Sequence, residues 1–204
     1  MGLHRNPVRL LTAMPSFVLV RDVFTVAECF KIIEDVETLI PKENGLTSGN
    51  KENKQLRDCS VAWIAPSQKF NWIFEKIDHV MTYTNNEYFN FDLIGYGGIQ
   101  FTEYKATTKE FYTWHTDMAY LNQSVVADVA ETTRKLSISI CLNQQESDFE
   151  GGNLELNSHI NPETAILDCG DAVIFPSFVQ HQVTPVTSGT RCSLVVWVTG
   201  PLFR

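Results

Sequence analysis

From residue 93 to its end the chain is written almost entirely in period two, which is the pattern of strands rather than helices. Residues 190–199 carry it most clearly. Extended, they put Cys192, Leu194, Val196 and Val198 on one face and Arg191, Ser193, Val195 and Trp197 on the other. The first face is wholly apolar and belongs in a core. The second begins with a guanidinium, a hydroxyl and an indole, an odd set for a buried strand. An unpaired buried charge is costly, so Arg191 demands an anionic partner. Its own strand offers none. A ligand carboxylate, held by two parallel hydrogen bonds, is one candidate; Asp168 and Asp171 are the others. Residues 99–104 alternate in the same way, with Ile99, Phe101 and Glu103 on one face and Gln100, Thr102 and Tyr104 on the other. Further strands are expected at 111–117, 135–143, 181–186 and 190–199, with a turn into a short strand over 149–156 and a hairpin over 165–176 turning at Cys169-Gly170-Asp171. Many short strands at regular spacing predict a mainly β fold: a double-stranded β-helix, or jelly roll, with flanking helices.

Within that region lies Phe111-Tyr112-Thr113-Trp114-His115-Thr116-Asp117. On a strand, residues two apart share a face, so the His115 imidazole and Asp117 carboxylate converge. Two ligands on one face are half of a metal site. His181, far along the chain on another expected strand, is the candidate for the remainder. Two histidines and one carboxylate with open positions suit non-haem Fe(II). Each feature alone is weak; the pair, the distal histidine and an arginine ten residues later make chance assembly improbable.

The first half of the chain is different. Residues 16–23 read as an opening strand. Thr25-Val26-Ala27-Glu28 is a capping-box sequence, and Val26, Cys29, Phe30, Ile33, Val36 and Ile40 recur at helical spacing, so a helix is expected over 26–39, ended by Pro41. Residues 42–56 are polar, with Gly45 and Gly49, and read as a loop, either plain surface or a lid over a substrate. A strand over 57–65 follows. A second helix then opens at Pro66-Ser67, with Phe70, Ile73, Phe74, Ile77, Val80 and Met81 as its buried stripe. Both helices should pack on one face of a sheet. A second polar loop is expected over 121–133. Residues 1–204 read as one domain, with 1–14 a loose tail.

Charge and cysteines narrow the setting. A net charge of −8 gives no broad electrostatic footprint for nucleic acid or an anionic membrane. The five cysteines (Cys29, Cys59, Cys141, Cys169, Cys192) are odd in number, scattered and without a Cys-x-x-Cys pair, so they read as small buried hydrophobes in a reducing, cytoplasmic setting. Residues 10–20 are apolar but broken by Pro15, a poor signal peptide and too short to span a bilayer.

With these residues in view, the sequence resembles the Fe(II)- and 2-oxoglutarate-dependent dioxygenases, in particular the prolyl 4-hydroxylase-like branch. The resemblance runs from about residue 16 to 197. It is strongest at the His115 segment, at residues 134–143, at Phe149-Glu150-Gly151-Gly152-Asn153-Leu154, at Gly170-Asp171-Ala172-Val173-Ile174-Phe175-Pro176-Ser177, and at His181-Gln182-Val183-Thr184-Pro185-Val186 followed by Gly189-Thr190-Arg191. It implies His115, Asp117 and His181 as catalytic iron ligands. It implies Arg191 as the residue that meets the distal carboxylate of 2-oxoglutarate, with Tyr104 assisting and Ser193 resembling the serine of an Arg-x-Ser arrangement in other branches. Trp197 sits six after the arginine, where oxygen-sensing prolyl hydroxylases and bacterial relatives have a tryptophan near the target proline. Arg57 resembles an arginine of collagen-type and algal enzymes, and Tyr112 joins these two as a substrate-side candidate. Collagen-type enzymes carry Lys where Arg191 stands. The implied reaction consumes dioxygen and 2-oxoglutarate, with ascorbate as a supporting reductant. It yields succinate and carbon dioxide, and hydroxylates an unactivated C–H, a prolyl residue of a protein or peptide in the leading reading. The same chemistry on a free amino acid, a lipid or a nucleic acid, and a non-catalytic jelly-roll binding module, are the alternatives.

Overall fold

The computed structural model describes residues 14–47, 52–121, 131–157 and 161–203. In chain order the first half contributes β1 (Val18–Val20), α1 (Val26–Leu39), β2 (Glu43–Asn44), β3 (Arg57–Asp58), β4 (Ser60–Ile64) and α2 (Asn71–Thr84). The second half contributes β5 (Ile99–Lys105), β6 (Phe111–His115), β7 (Tyr120–Leu121), β8 (Thr132–Cys141), β9 (Phe149–Gly151), β10 (Leu154–Asn157), β11 (Pro162–Thr164), β12 (Ala172–Pro176), β13 (His181–Val183) and β14 (Val186–Pro201). A nine-stranded sheet runs β1-β12-β8-β14-β5-β4-β2, with β7 added on β8 and β9 on β14. A five-stranded sheet runs β11-β10-β13-β6-β3. The chain is mainly β, with a jelly-roll core and two helices on one sheet, as its alternation predicts.

Period two divides the large sheet between two cores. Cys192, Leu194, Val196 and Val198 of β14, with Ile99 and Phe101 of β5 and Ala172 and Ile174 of β12, pack against the helices. The opposite faces carry Tyr104, Cys141, Val173 and Phe175, which meet Leu154, Leu156 and Val183 of the small sheet. The second core is therefore the interior of the roll, and the polar faces of β5 and β14 open into it.

α1 begins where the capping box predicts. The Thr25 hydroxyl accepts from the Glu28 amide and the Glu28 carboxylate accepts from the Thr25 amide, so two free donors of the first turn are satisfied. Its buried face differs from expectation. Cys29, Ile32 and Val36 are buried, whereas Val26 and Phe30 are 54% and 57% exposed. The sheet covers only a narrow arc of the helix, and that arc is centred on Ile32. In α2 the stripe holds: Ile73 and Ile77 are fully covered, and Phe74, Val80 and Met81 pack partly against the same core.

Five further expectations are corrected by the topology. The opening strand is confined to Val18–Val20. The expected strand over 57–65 is two strands broken at Cys59; β3 pairs with β6 in the small sheet and β4 with β5 in the large one. No hairpin forms over 165–176, although the turn does, through Asp171 N–H to the Asp168 carbonyl. The flanking segments belong to different sheets, because β11 pairs with β10 while β12 crosses to β8. Residues 186–201 form one strand, whose start pairs with β9 and whose body lies between β5 and β8. The loop over 42–56 includes β2, paired with β4. Residues 48–51 of that loop, 122–130 of the second loop, and the expected tail over 1–13 lie outside the described residues. Among the described residues no helix is long and apolar enough to cross a membrane. Four of the five cysteines are buried, and all are free thiols.

Candidate active site

The site is built on the pairing of β6 with β13. Their register sets His181 directly opposite His115, with the ring centroids 4.1 Å apart. Asp117 arrives differently from expectation. β6 ends at His115, so no strand periodicity aims the carboxylate. Instead the carbonyl of Ser177, in the turn after β12, accepts from the Asp117 and Met118 amides at 2.9 Å each. The Ser177 hydroxyl is in turn bonded to Ser137 Oγ of β8 at 2.9 Å. The carboxylate is thus held between the two sheets, with one oxygen 3.6 Å from His115 Nε2 and the other 3.4 Å from His181 Nε2.

The hydrogen bonds behind the rings decide which nitrogens are available. His115 Nδ1 lies 2.7 Å from the Thr113 carbonyl, and His181 Nδ1 lies 3.0 Å from that of Val179. A carbonyl can only accept, so both Nδ1 atoms carry the proton, and in the neutral rings each Nε2 presents a lone pair to the Asp117 side. Burial, and then the neighbouring His181, push the His115 imidazole down to about 4 against the opposing pull of Asp117, so this ring is neutral at ordinary pH. Burial alone would raise the Asp117 carboxyl; electrostatic coupling to His181 and His115 as these rings gain a proton, with the Ser137 hydroxyl, lowers it instead. One ligand atom from each of the three residues lies within 4.8 Å of the others. Two imidazole nitrogens, each ring fixed by a backbone carbonyl behind it, and one carboxylate form a donor set that fits non-haem Fe(II).

All nine residues singled out from the sequence line one cavity: Arg57, Tyr104, Tyr112, His115, Asp117, His181, Arg191, Ser193 and Trp197. Arg191 and Tyr104 are cross-strand partners on β14 and β5. Arg191 is 3% exposed, and its Nη1 donates to Ser193 Oγ at 3.1 Å. No carboxylate among the described residues pairs with it. Asp171, one of the two candidates raised above, is bound to Arg21 and to the amides of Asp22 and Asp168. Asp168 accepts from Gln144. Burial pushes the Tyr104 phenol up, so it stands as a protonated donor beside the guanidinium. Arg57 is 7% exposed and is held by the Leu46 carbonyl, Gln100 Oε1 and Cys59 Sγ, over the ring of Tyr112 at 4.8 Å. Tyr112 stacks on His115, centroid to centroid 3.5 Å.

Sequence reading missed two features of this neighbourhood. Ser139 of β8 lines the cavity, while Ser137, two residues before it, meets the Ser177 hydroxyl behind Asp117; the alternation Leu136-Ser137-Ile138-Ser139-Ile140 carries that signal. Arg134 lies over the Trp197 ring at 4.2 Å, where a non-local contact decides its place. Arg134, Trp197, Trp63 and Gly97-Gly98 line a neighbouring open cleft of about 320 Å³. Trp197 belongs to both spaces.

Comparison with known proteins agrees with this geometry. The sequence pattern of the 2OG-Fe(II) oxygenase superfamily matches residues 99–199. A PKHD-type hydroxylase of Alteromonas mediterranea is 32% identical over 87 residues, 43% of this chain and 37% of the relative. Another, from Hyphomonas neptunium, is 43% identical over 63 residues, 31% of this chain and 28% of the relative. The chain thus spans about a third of the length of these relatives. Among solved structures, a Pseudomonas putida prolyl-4-hydroxylase superposes with a TM-score of 0.67 at 18% identity, covering 91% of this chain and 93% of that one. A Trichoplax adhaerens prolyl hydroxylase, solved with a hypoxia inducible factor oxygen degradation domain peptide, gives a TM-score of 0.72 at 16% identity, covering 90% and 83%. At these identities the likeness speaks for the fold alone.

Proposed function

This chain belongs to the 2OG-Fe(II) oxygenase superfamily, and from that premise we propose that it is a prolyl 4-hydroxylase-like, Fe(II)- and 2-oxoglutarate-dependent hydroxylase acting on a polypeptide, with a prolyl residue as the target. The observation that carries the reading is Arg191: a buried guanidinium without a carboxylate partner among the described residues, in the same cavity as the His115, Asp117 and His181 donors. A metal-binding module has no need of such a cation. A dicarboxylate co-substrate does, since its distal carboxylate supplies the missing charge.

His115, Asp117 and His181 would hold the iron. Bound Fe(II), with 2-oxoglutarate as co-substrate, supplies the activation of dioxygen that an unactivated C–H requires, and the co-substrate leaves as succinate and carbon dioxide. The chain's own residues bind and orient. Arg191 takes the distal carboxylate through its planar fork, Tyr104 donates its phenol from the opposite strand, and Ser193 fixes the guanidinium from behind. Phe175, Leu154, Val183 and Val195 line the same space and keep it dry. Tyr112 and Arg57 close it on the β3 side.

The polypeptide reading draws on the open cleft beside Trp197. Its walls are Trp63, 47% exposed, and Arg134; Gly97 has no atoms within contact distance of where a Cβ would stand. Such a cleft can receive chain on one side of a target residue seated at Trp197. The prolyl target is supported by the PKHD-type hydroxylases to which part of the chain is similar.

The test is succinate formation by purified protein with Fe(II), ascorbate and 2-oxoglutarate in air, comparing wild type and Asp117→Ala, with and without proline-containing peptides. Slow succinate release that Asp117→Ala abolishes, accelerated by a peptide, is the expected result. Release that no peptide accelerates, but a free amino acid, lipid or nucleic acid does, would move the substrate assignment. No succinate from folded, iron-loaded protein under any condition would refute the enzyme reading.

A further inference from the structure

Arg191 raises a question that its hydrogen bonds do not answer. A long, flexible side chain with no ion-pair partner among the described residues has no reason to keep one posture in the absence of ligand. Its guanidinium has Ser193 Oγ at one nitrogen. Its aliphatic shaft is fixed from another direction, by the backbone at Gly152.

Gly152 follows β9 in the turn that leads to β10. Its φ is +58°, and its N–H donates to the Pro185 carbonyl at 3.1 Å. A Cβ built on it would lie 2.8 Å from Arg191 Cδ, 2.9 Å from Val186 Cγ2 and 3.7 Å from Arg191 Cβ. The arginine shaft therefore passes directly over the bare Cα of residue 152, and buried Val186 leaves it no room to retreat on that side. Gly151, its neighbour, also has a positive φ, +71°, but a Cβ there would meet Pro185 and Thr187, not the arginine. The two glycines thus answer different demands. Both permit the turn, and only the second permits the arginine.

We propose that Gly152 is a positioning residue for co-substrate binding: the absence of a side chain at 152 sets the direction in which Arg191 enters the cavity. The proposal rests on the reading of Arg191 as the anchor of the 2-oxoglutarate distal carboxylate. Any L-residue at 152 pushes the Cδ of Arg191 by several tenths of an ångström and turns the fork away from its target. Two effects of substitution are separable, because Asn tolerates the left-handed conformation far better than Ala while bringing the same Cβ.

The experiment is calorimetric binding to Mn(II)-loaded protein, which needs no turnover. The ligands are 2-oxoglutarate and 2-oxobutyrate, a 2-oxo acid that lacks the distal carboxylate. The proteins are wild type, Gly152→Ala, Gly152→Asn, Arg191→Ala and the Gly152→Ala/Arg191→Ala double variant, with thermal melting recorded for each. Both Gly152 variants should lose at least about tenfold in 2-oxoglutarate affinity, the scale of one charge-assisted hydrogen bond, with 2-oxobutyrate and Mn(II) affinities unchanged. Gly152→Asn should melt closer to wild type than Gly152→Ala, yet lose the same affinity. The double variant should bind 2-oxoglutarate as Arg191→Ala alone does. Unchanged 2-oxoglutarate affinity in a folded Gly152 variant, an equal loss for both acids, a further loss in the double variant, or failure of both Gly152 variants to fold would each overturn the proposal and reduce Gly152 to a turn residue. If Arg191→Ala itself binds 2-oxoglutarate like wild type, the anchor reading fails first.

Discussion

Replacing Arg191 by Met should make the ligand-free protein more stable while abolishing its response to 2-oxoglutarate. The argument is one of charge. The guanidinium is 3% exposed and has no carboxylate partner among the described residues. Taking an ion out of water without a counter-charge costs several kcal/mol. What offsets this is modest: one hydrogen bond to Ser193, worth about 1 kcal/mol, and a cation–π contact with Tyr104 at 5.8 Å, worth roughly 0.5–1 kcal/mol. Met is of similar length, needs no counter-charge, and its thioether packs well against an aromatic ring. The expected net gain is about 1–3 kcal/mol, which for a chain of this size raises the melting temperature by roughly 2–4 °C per kcal/mol. Ligand should reverse the order. At a hundredfold excess over its dissociation constant, 2-oxoglutarate stabilises wild type by about 2.7 kcal/mol, and the variant gains nothing. The assay is a pair of melting curves for each protein on a common metal-loaded background, with and without 2-oxoglutarate. If Arg191→Met melts below wild type without ligand, the guanidinium is structurally satisfied and the inference from its missing partner is wrong.

Four further outcomes follow from particular contacts. Mn(II) should raise the melting temperature of wild type in proportion to the logarithm of its concentration and leave Asp117→Ala unmoved, because two histidines without the carboxylate are too few ligands; an equal shift in both would place the metal elsewhere. Burial alone would raise the Glu103 carboxyl, but Lys105 and Lys42, at 2.8 and 2.5 Å, hold it below its ordinary 4.5. Its contribution is therefore present above about pH 4.5 and lost as pH falls through the lower folded value; Glu103→Gln should cost roughly 1–2 kcal/mol at pH 7 and flatten the acid limb of a stability–pH curve, and an unchanged limb would exclude this group. Thr25→Ala should remove the α1 cap and about 1 kcal/mol of stability, seen in denaturant melts, with succinate formation per folded molecule unchanged because α1 lies outside the roll. Trp63→Ala should raise the KM for a polypeptide substrate while sparing uncoupled 2-oxoglutarate turnover; loss of both would show that Trp63 supports Trp197, 6.1 Å away, rather than substrate.

The sequence by itself determined whatever depends on a local period or a local chemical demand. The faces of β5 and β14 were readable residue by residue, because a pleated strand sends alternate side chains to opposite sides whatever its partners are. The α1 start was readable because a capping box is closed within four residues. Arg191 declared its need for an anion because no acid shares its strand. Tertiary structure decided everything that depends on which segments pair. Residues 57 and 61 look like one strand until β3 and β4 are seen to join different sheets. The flanks of the 168–171 turn look like a hairpin until β12 crosses to β8. α1 faces the sheet with Ile32 rather than Phe30, a choice set by docking angle and invisible to helical spacing. Asp117 reaches the metal site not through strand periodicity but because the Ser177 carbonyl, sixty residues later, holds its amide. His181 stands opposite His115 only through the β6–β13 register, and Gly152 underlies Arg191 only because β9 pairs with the start of β14. Periodicity is a property of neighbours along the chain; register and crossover are settled by burying both faces of two sheets at once, and no short stretch of sequence contains that information.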